Sequence, residues 1–381
     1  MEKTKSILIV TALSGFVRAF LLDDIKILQS MGYEVYCAAN GEIDDRTVDK
    51  NIEQFRKIGV NFLQIPFSSN KPISKNNLKA FFEIKKILKQ KKFDAIHVHT
   101  PIPGVIVRIA ALRYRKSCKI IYTTHGFFFH EGSSKKSWYV FHTIEKLMSK
   151  FCDAIITINM EDYKNAKQML CDQVFHINGV GIDTKKYDIV VDREQIRKKL
   201  GLQETDIALL SIGELSDRKN HQIVIKAMKE NGNKKLVYLI CGKAVEGEGT
   251  YNYLKELAEK MDVRVNFLGY RRDIPEIAKA ADIGVIPSTR EGLGLAGIEM
   301  LASGLPLVAS GVHGILDYAI EGKTAYLADP YSALEFSEAI SKLEDKSERI
   351  KMKEKCILTA KKFDMSVSHE QRSKIYKNVL K

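Results

Sequence analysis

The stretch Asp282–Ser310 reads DIGVIPSTREGLGLAGIEMLASGLPLVAS and contains two short apolar runs, Ile283–Ile286 and Pro306–Ala309. The first run ends at a proline and the second at Ser310-Gly311, which are residues that commonly follow strands. Short strand-like runs that each lead into a turn and then a helical segment are typical of a parallel sheet covered by helices. The stretch therefore predicts part of a parallel α/β domain.

The same alternation continues on both sides of this stretch. Three further strand-like runs lie in the second half of the chain, at Ala208–Ile212, Leu236–Cys241 and Arg264–Leu268. The first half has strand-like runs and helical segments at Ser6–Thr11, Arg18–Met31, Tyr33–Ala39, Asn77–Gln90, Ala95–Val98, Ile120–Thr124 and Ala154–Ile158. We therefore expect two Rossmann-like α/β domains that face each other and bind ligands in the cleft between them, at the carboxyl ends of the strands.

The length of the chain, 381 residues, is sufficient for two such domains. A polar and charged segment, 184–206, separates the two halves and is the expected linker. This division gives an N-terminal domain of residues 1–183, a C-terminal domain of residues 207–360 and a final segment of residues 361–381.

Composition excludes several classes of protein. Hydrophobic residues make up 45% of the chain, which is too many for a disordered protein. The six cysteines are scattered without a CxxC pair, which argues against a structural zinc site or a disulfide framework and indicates a reducing cytosol. The longest stretch without Asp, Glu, Lys or Arg, Met300–Leu316, is too short to span a bilayer, and we expect no secretory signal at the N-terminus.

The net charge of +13 is concentrated in one region of the chain. Residues 71–150 contain fourteen Lys and three Arg against four acidic residues, so they carry the whole excess. Solvated lysine-rich helix faces would explain this charge, as would a surface for nucleic acid, anionic lipid or an acidic substrate. We find no recognisable motif for binding RNA or DNA, and we expect no nucleic-acid partner.

The segment Glu291–Glu299, EGLGLAGIE, is the best candidate for carrying chemistry. If a helix begins near Leu295, its free N–H groups form an anion site, and the glycines before it permit close approach of a ligand. Glu299 would then lie about one turn into the helix, within reach of a sugar hydroxyl. The alternative is that Glu291 and Glu299 only stabilise the start of a helix.

Several motifs together resemble glycosyltransferase family 4, whose members are retaining enzymes with the two-domain GT-B fold. Four of these are Asp282–Ser310, Gly213–His221 (GELSDRKNH), Asn266–Ile274 (NFLGYRRDI) and, before the expected linker, Asn178–Tyr187 (NGVGIDTKKY). In the first half His97–Pro101 (HVHTP), Thr124–Gly132 (THGFFFHEG) and Ile158–Ala166 (INMEDYKNA) resemble the branch that builds capsular and extracellular polysaccharides on a lipid carrier. The segment Lys361–Lys381 resembles the terminal helix that crosses back onto the N domain in this family.

The resemblance implies a donor site for a nucleotide sugar. Glu299 would bind the ribose hydroxyls, Glu291 the hydroxyls of the donor sugar, and Lys219 the diphosphate. The backbone N–H groups of Gly294 and Leu295 would also hold the diphosphate. The implied donor-binding residues are Gly15, Arg218, Lys219, Arg271, Glu291, Gly294, Leu295 and Glu299, with Arg218 on the diphosphate, Arg271 beside the base and Gly15 close to the phosphates.

The resemblance also places residues of the N domain. His125 would lie near the reaction centre, which makes Glu291, His125 and Lys219 the expected catalytic residues. We expect the acceptor or the membrane to meet His99, Phe127, Phe128, Phe129 and His130. His97 and His99 lie on one strand, and we expect them to face opposite sides of the sheet, with His97 in a structural role.

Two positions depart from the family pattern. Glu214 occupies a position where many members carry Arg, and Asp317 one where Glu is commoner. A carboxylate next to a diphosphate would be repulsive, so we expect Glu214 to point elsewhere and Arg218 to restore the charge.

The expected activity is transfer of a hexose or N-acetylhexosamine from a UDP-sugar to a polyprenyl-diphosphate-linked saccharide, with retention at the anomeric carbon. We expect no metal and no cofactor, because no Asp-x-Asp motif or His/carboxylate cluster has ligand spacing. The protein would be cytoplasmic, peripheral on the inner face of an anionic membrane. The alternatives are a UDP-HexNAc 2-epimerase of the same architecture and a basic nucleic-acid-binding protein. A dehydrogenase is disfavoured because no G-x-G-x-x-G follows the first strand.

Overall fold

A computed structural model of the chain describes residues 4–41, 45–69, 71–244 and 249–381. The chain divides into two units. Unit 1 comprises Met1–Val180 together with Ser366–Lys381, and unit 2 comprises Gly181–Met365. Helices and strands are numbered along the chain.

Unit 1 is built on a parallel sheet. Its strands within the described residues are β1 (Ser6–Leu13), β2 (Glu34–Asn40), β3 (Asn61–Gln64), β4 (Ala95–His99), β5 (Lys119–Thr123), β6 (Ala154–Thr157) and β7 (Val174–His176). They are arranged in the order β3-β2-β1-β4-β5-β6-β7, and every pairing is parallel. Strand β1 is buried through Ile7–Val10 because helices cover both faces of the sheet at its centre.

Helices connect these strands. They are α1 (Ser14–Phe16), α2 (Leu22–Ser30), α3 (Asp45–Lys57), α4 (Lys75–Gln90), α5 (Pro101–Ala110), α6 (Lys135–Ser149), α7 (Met160–Ala166) and the C-terminal α15 (Met365–Val379). Side-chain caps fix several N-termini, since Ser74, Ser134 and Asn159 accept hydrogen bonds from the first turns of α4, α6 and α7. The helix expected at Arg18–Met31 is a π-helical turn, Val17–Leu21, followed by α2.

Unit 2 is also built on a parallel sheet whose strands are connected by helices. Its strands within the described residues are β8 (Ile207–Ile212), β9 (Leu236–Cys241), β10 (Arg264–Gly269), β11 (Ile283–Ile286), β12 (Leu307–Ser310) and β13 (Ala325–Ala328). They are all parallel and lie in the order β10-β9-β8-β11-β12-β13. Its helices are α8 (Arg193–Lys199), α9 (His221–Asn231), α10 (Gly249–Met261), α11 (Ile274–Ala280), α12 (Leu295–Ala302), α13 (Ala333–Glu344) and α14 (Lys346–Lys361).

Both sheets share one strand order. Counted from the first strand of each unit, the order is 3-2-1-4-5-6, with a seventh strand added in unit 1. This is the Rossmann order, in which ligands bind where the order reverses, outside the carboxyl ends of the first and fourth strands. The two predicted parallel α/β domains are confirmed, and the switch points lie at β1/β4 and β8/β11.

The prediction that 184–206 is a linker is wrong. The segment belongs to unit 2, where α8 is anchored by the buried Arg197. The Arg197 guanidinium donates to the carbonyls of Ala280, Gln203 and Asp206 and to the Asp282 carboxylate at 2.9 Å. These bonds satisfy a buried cation and hold α8 against unit 2, although most polar residues of the segment are exposed.

The ends of the units also differ from the expected bounds. The chain leaves unit 1 at Val180 and returns to it at Ser366, and α14 extends to Lys361 inside unit 2. The C-terminal helix α15 belongs to unit 1, as predicted, and buries Ile375, Tyr376 and Val379 there.

Candidate active site

The segment Glu291–Glu299 forms the turn and helix that its spacing predicts. Helix α12 begins at Leu295, and Gly294 precedes it with φ 80° and no side-chain cap. A side chain at Gly294 would be strained because positive φ is costly for other residues. Because Gly294 has no side chain to accept a hydrogen bond, no side chain caps the first N–H groups of α12. These groups lie at the carboxyl edge of the sheet, next to β11.

The glycines of this segment also make room for Tyr318. The Tyr318 hydroxyl donates to the carbonyl of Gly294 at 3.1 Å. A Cβ added to Gly297 would lie 2.3 Å from that hydroxyl oxygen, and one added to Gly294 would lie 2.9 Å from it. The glycine spacing thus has a packing cause.

Two cations converge on Glu291. Its Oε1 lies 2.6 Å from Lys219 Nζ, 3.0 Å from Arg218 Nη1 and 2.9 Å from Ser288 Oγ. Lys219 follows β8 and Glu291 follows β11, so the fold joins residues 72 positions apart at the switch point of unit 2. No hydrogen bond to Glu291 Oε2 occurs among the described residues, and this oxygen can accept one from a ligand hydroxyl.

The environment of Glu291 keeps it ionised. Burial by itself would raise the pKa of this carboxyl, but Lys219 and Arg218 lower it below its ordinary value. The structure therefore brings together three of the predicted donor residues, with one anion held between two cations.

Glu214 does not point away from this cluster, contrary to our expectation. Its Oε1 accepts from Arg218 Nη2 at 3.0 Å and from Ser216 Oγ at 3.1 Å. Arg218 therefore bridges two carboxylates, Glu214 and Glu291. The cluster contains two cations, Arg218 and Lys219, and two anions, Glu214 and Glu291. Arg218 is therefore already paired and does not replace the positive charge of the Arg that many family members carry at position 214.

Glu299 lies one turn into α12, half-buried, and is hydrogen-bonded to Tyr187. Burial raises the pKa of Glu299, while the Tyr187 hydrogen bond and Lys186 lower it in part. Tyr187 thus holds the carboxylate in place from the turn Thr184–Tyr187.

Arg271 and Gly15 are placed at the predicted edges of their sheets. Arg271 follows β10 and forms a two-point pair with Asp273, with Nε to Oδ1 at 2.8 Å. Gly15 lies in the turn after β1, and a Cβ there would meet no atom within 4 Å.

In unit 1 the side chains of His97 and His99 share one face of the sheet. Their ring centroids are 4.0 Å apart. The expectation of opposite faces was wrong because residues two apart on a strand point to the same side. Both rings are buried.

His97 belongs to a hydrogen-bond chain that begins at α15. Arg372 pairs with the Asp24 carboxylate, which accepts from the Tyr376 hydroxyl at 2.6 Å. Tyr376 therefore accepts from His97 Nδ1–H at 2.8 Å, and His97 Nε2 accepts from Thr123 Oγ1 at 2.7 Å. His97 is the structural histidine, as expected, and burial lowers its pKa to about 3.

His99 contacts His125. His99 Nδ1 and His125 Nε2 are 3.1 Å apart, and His99 Nε2 is buried without a partner among the described residues. If His99 carried its proton on Nε2, that buried N–H would have no acceptor, which is rarer in proteins than a buried nitrogen lone pair without a donor. We therefore infer that the proton of His99 is on Nδ1 and is donated to His125 Nε2. His125 then carries its proton on Nδ1.

His125 is neutral at neutral pH. Burial, followed by the positive charge of Arg372, lowers its pKa to about 4. The Phe16 and His125 rings pack in a T-shaped arrangement with their centroids 4.8 Å apart. In this environment the ring can donate a neutral hydrogen bond from Nδ1 to a hydroxyl or a phosphate oxygen, and it carries no charge.

The predicted acceptor or membrane residues separate into two groups. Phe127 and Phe129 are buried in the core of unit 1 with their rings stacked 4.7 Å apart, so an acceptor or membrane role for these two is wrong. Phe128 between them is 37% exposed. The His130 ring bonds the carbonyl of Glu131 at 2.7 Å. Three consecutive aromatic residues in an extended turn alternate in direction, which explains the split.

Sequence reasoning missed several residues of these sites. Tyr187 lies inside one of the motifs named above and Tyr318 follows another. Their contacts with Glu299 and Gly294 could therefore have been predicted from the sequence. The link between Asp24 and Tyr376 spans 352 positions, and no local pattern indicates it.

The described residues lack two kinds of feature. No group of three or more His, Cys, Asp or Glu side chains is placed to hold a metal ion there. Within the same residues, no helix combines the length and apolar character that crossing a membrane requires.

Comparison with known proteins places the chain in a family. Residues 192–363 match the family described as glycosyl transferases group 1, and residues 21–186 match glycosyltransferase family 4. A Bacillus subtilis (strain 168) protein named "Putative glycosyltransferase EpsD" is 32% identical over 98% of this chain and 96% of its own length.

A further relative supports the same family, and a solved structure supports the fold. An Escherichia coli UDP-Gal:alpha-D-GlcNAc-diphosphoundecaprenol alpha-1,3-galactosyltransferase is 30% identical over 62% of this chain and 63% of its own. The crystal structure of Anabaena Alr3699/HepE with UDP and glucose superimposes with a TM-score of 0.77 at 20% identity, covering 98% of this chain and 100% of that one. The chain is a glycosyltransferase with the GT-B fold and belongs to glycosyltransferase family 4.

Proposed function

We propose that the protein transfers a hexose or N-acetylhexosamine from a UDP-sugar to a polyprenyl-diphosphate-linked saccharide, in the synthesis of a surface or extracellular polysaccharide. The observation that carries the proposal is the cluster of Lys219, Arg218 and Glu291 beside the uncapped start of α12. Cations and free N–H groups at a switch point form a site for a diphosphate, and a carboxylate oxygen of Glu291 that accepts no hydrogen bond from the described residues suits a sugar hydroxyl.

In the proposed reaction the bond between the anomeric carbon and the diphosphate oxygen breaks as an acceptor hydroxyl attacks from the same face. The acceptor oxygen bonds to the anomeric carbon, and its proton passes to the departing phosphate oxygen, which gives UDP and retention. Lys219, Arg218 and the N–H groups at Gly294 and Leu295 stabilise the charge that develops on the leaving diphosphate. The nucleotide ribose would be bound by Glu299, and the base would lie beside Arg271.

Donor binding requires Lys219 to share its ammonium between Glu291 and the diphosphate. The ammonium has three N–H donors and can make both contacts. We propose that His125 of unit 1 donates its Nδ1–H to a hydroxyl or phosphate oxygen of a substrate. Because its pKa is lowered to about 4, it would act as a neutral donor of a hydrogen bond.

The acceptor and the membrane location rest on two supports. The name of the E. coli relative specifies a diphosphoundecaprenol acceptor. The basic region 71–150 suits the anionic inner face of the cell membrane, where each well-placed cation contributes about 1 kcal/mol. We propose peripheral attachment there.

A donor screen tests the proposal. Thermal unfolding is measured with UDP-Glc, UDP-Gal, UDP-GlcNAc and UDP-GalNAc, since a ligand that binds only the folded state raises the melting temperature. We expect one of these to raise it most and to support transfer to a polyprenyl-diphosphate saccharide. An absence of response to all four would contradict the proposal.

The same reagents test the alternatives. Incubation with UDP-GlcNAc alone would give an epimer if the protein were a 2-epimerase, whereas the proposed reaction requires an acceptor. Binding of RNA or DNA that falls steeply with salt, without any response to UDP-sugars, would favour the nucleic-acid-binding alternative.

A further inference from the structure

A cavity of about 470 Å³ lies at the amino edge of the sheet in unit 2. Its lining includes Ile207, which opens β8, and Asp282 and Pro306, which directly precede β11 and β12. The cluster of Lys219 and Glu291 lies at the opposite edge, because it follows the carboxyl ends of β8 and β11. The cavity is therefore separate from the proposed donor site, and its volume is that of a small-molecule site.

Positive charge dominates the lining of this cavity. Among the described residues, three acidic side chains line it, and one of them, Asp206, is already paired with Arg264 at 2.6 Å. The other two are Glu204 and Asp282. Within the same part of the chain, six cationic side chains line the cavity from α8, α11 and α14, namely Arg193, Arg197, Lys279, Lys346, Arg349 and Lys353. The lining thus has twice as many cations as anions.

Three of the guanidinium groups share the carboxylate of Asp282. Arg193 Nη2 lies 2.8 Å from Oδ1, Arg197 Nη1 lies 2.9 Å from Oδ2, and Arg349 Nη2 lies 3.5 Å from Oδ1. Backbone carbonyls satisfy the rest of Arg197 and hold Nη1 of Arg349. Arg349 Nη2 makes no hydrogen bond to a described residue, and Arg193 bonds through Nη2 alone within that set. One carboxylate cannot neutralise three cations, so donors and charge remain for an anion.

Two lysines lie beside the turn Ser303-Gly304 in the same lining. Lys279 Nζ donates to the Ser303 carbonyl at 3.3 Å. The stem of Lys353 crosses Gly304, where an added Cβ would lie 2.9 Å from Lys353 Cγ. Burial and the nearby charge of Lys353 lower the pKa of Lys279, and Asp188 opposes them in part. The two ammonium groups therefore repel each other, and a bound anion would relieve this repulsion.

Helix capping explains only part of this arrangement. Lys279 lies at the C-terminal end of α12, where a cation that bonds a free carbonyl is favourable. This role uses one of the three N–H donors of Lys279. It does not account for Lys353 beside it or for three arginines on one carboxylate.

We propose that the cavity binds a soluble anion that carries two or more phosphate charges, of the diphosphate class. Guanidinium groups match phosphate oxygens in pairs, and an ammonium group adds a mobile point charge. Arg193 and Arg349 would contact the anion from the side of Asp282, and Lys279 and Lys353 from the side of the Ser303-Gly304 turn. This second anion site does not depend on the proposed function.

Titration calorimetry with inorganic diphosphate measures binding without catalysis. UDP is present in both solutions to occupy the cluster around Lys219, and no acceptor is added. We expect inorganic diphosphate to bind under these conditions and to raise the melting temperature. Lys219→Ala should bind it equally well, because Lys219 lies at the opposite edge of the sheet. An absence of binding to the wild-type protein, or its loss in Lys219→Ala, would overturn the proposal.

Variants of the lining locate the contact. Arg193→Gln and Lys353→Gln are each expected to weaken inorganic diphosphate about tenfold, because each removes a charged hydrogen bond. Lys260→Gln, at an exposed position of α10, is the matched control and should not change the affinity. Equal affinities of the three variants would place the diphosphate elsewhere and overturn the proposal.

The melting temperature without ligand separates binding from a structural role. Lys353→Gln removes the repulsion with Lys279, so we expect the ligand-free variant to melt at the same temperature as the wild type or slightly above it. A lower melting temperature together with unchanged diphosphate affinity would assign Lys353 to the stability of the fold and overturn the proposal.

Vesicles of phosphatidylglycerol distinguish a lipid head group from a soluble anion. Sedimentation with these vesicles should be the same for the wild type and for Lys353→Gln. A loss of vesicle binding as large as the loss of diphosphate binding would assign the cavity to a lipid surface and overturn the proposal.

Discussion

Glu214 partly neutralises the proposed diphosphate site, because it binds the same guanidinium that contacts Glu291. The Arg218 side chain is 41% exposed, so its ion pair with Glu214 contributes little to the stability of the fold. The pair nevertheless reduces the positive charge that an incoming anion would meet. The departure from the family pattern at this position is therefore expected to weaken donor binding.

We predict that Glu214→Gln increases the affinity for UDP about twofold to fivefold, since Arg218 Nη2 then loses its charged partner and can contact the diphosphate while Nη1 stays on Glu291. Isothermal titration calorimetry measures the change. Glu259→Gln, at an exposed position of α10, is the matched control and should have no effect. Weaker binding by Glu214→Gln would show that Glu214 supports the site instead of opposing it.

The hydrogen bond between His99 and His125 gives a second prediction. Asn at position 99 can place an amide N–H where His99 Nδ1–H lies, whereas Leu cannot. We predict that His99→Leu lowers kcat about tenfold with little change in the donor KM, and that His99→Asn retains most of the activity. His99 is a positioning residue in this account.

Nitrogen NMR shifts of His125 separate this role from a merely structural one. Wild type and His99→Asn should both show the Nδ1–H tautomer of His125, and His99→Leu should show a mixture. An Nε2–H tautomer in the wild-type protein would refute the assignment.

At the scale of elements, the start of α12 depends on close packing with Tyr318. We predict that Gly297→Ala destabilises the protein by about 2 kcal/mol, because its Cβ would overlap the Tyr318 ring. Gly249→Ala is the control, since a Cβ at the start of α10 meets nothing within 4 Å. Urea unfolding compares the two, and equal stabilities would contradict the packing argument.

The elements differ in how well the sequence predicts them. Strands such as β9 and β11 are continuous apolar runs, and their bounds match the prediction because both faces of the sheet are covered. Strands β3, β7 and β13 were missed because each has four residues or fewer and lies at or near an edge of its sheet. Helix α6 was not among the predicted segments, and sequence spacing could not indicate that its apolar residues Tyr139 and Leu147 are exposed.

For the molecule as a whole, the fold and the donor cluster could be predicted because their signals are local. Lys219 and Glu291 each lie in a recognisable turn, and parallel topology brings such turns to one edge. The contacts of α15 with Asp24, and the bridge from Arg218 to Glu214, depend on side-chain geometry that no spacing encodes. The roles of the individual site residues remain predictions.

The distribution of charge has a consequence for the whole molecule. The excess of +13 in residues 71–150 coincides with the exposed apolar faces of α4 and α6. We predict that sedimentation with liposomes increases with the fraction of anionic lipid and falls between low and high salt. Binding that ignores lipid charge would contradict peripheral attachment by this surface.

The central claim is that the cluster around Lys219 binds the diphosphate of a UDP-sugar. Titration calorimetry of UDP with wild type and Lys219→Ala tests it most directly, with Lys260→Ala, at an exposed position of α10, as the control. Loss of a charged hydrogen bond predicts affinity about tenfold to a hundredfold weaker for Lys219→Ala and unchanged for Lys260→Ala. Unchanged UDP affinity in Lys219→Ala would contradict the account.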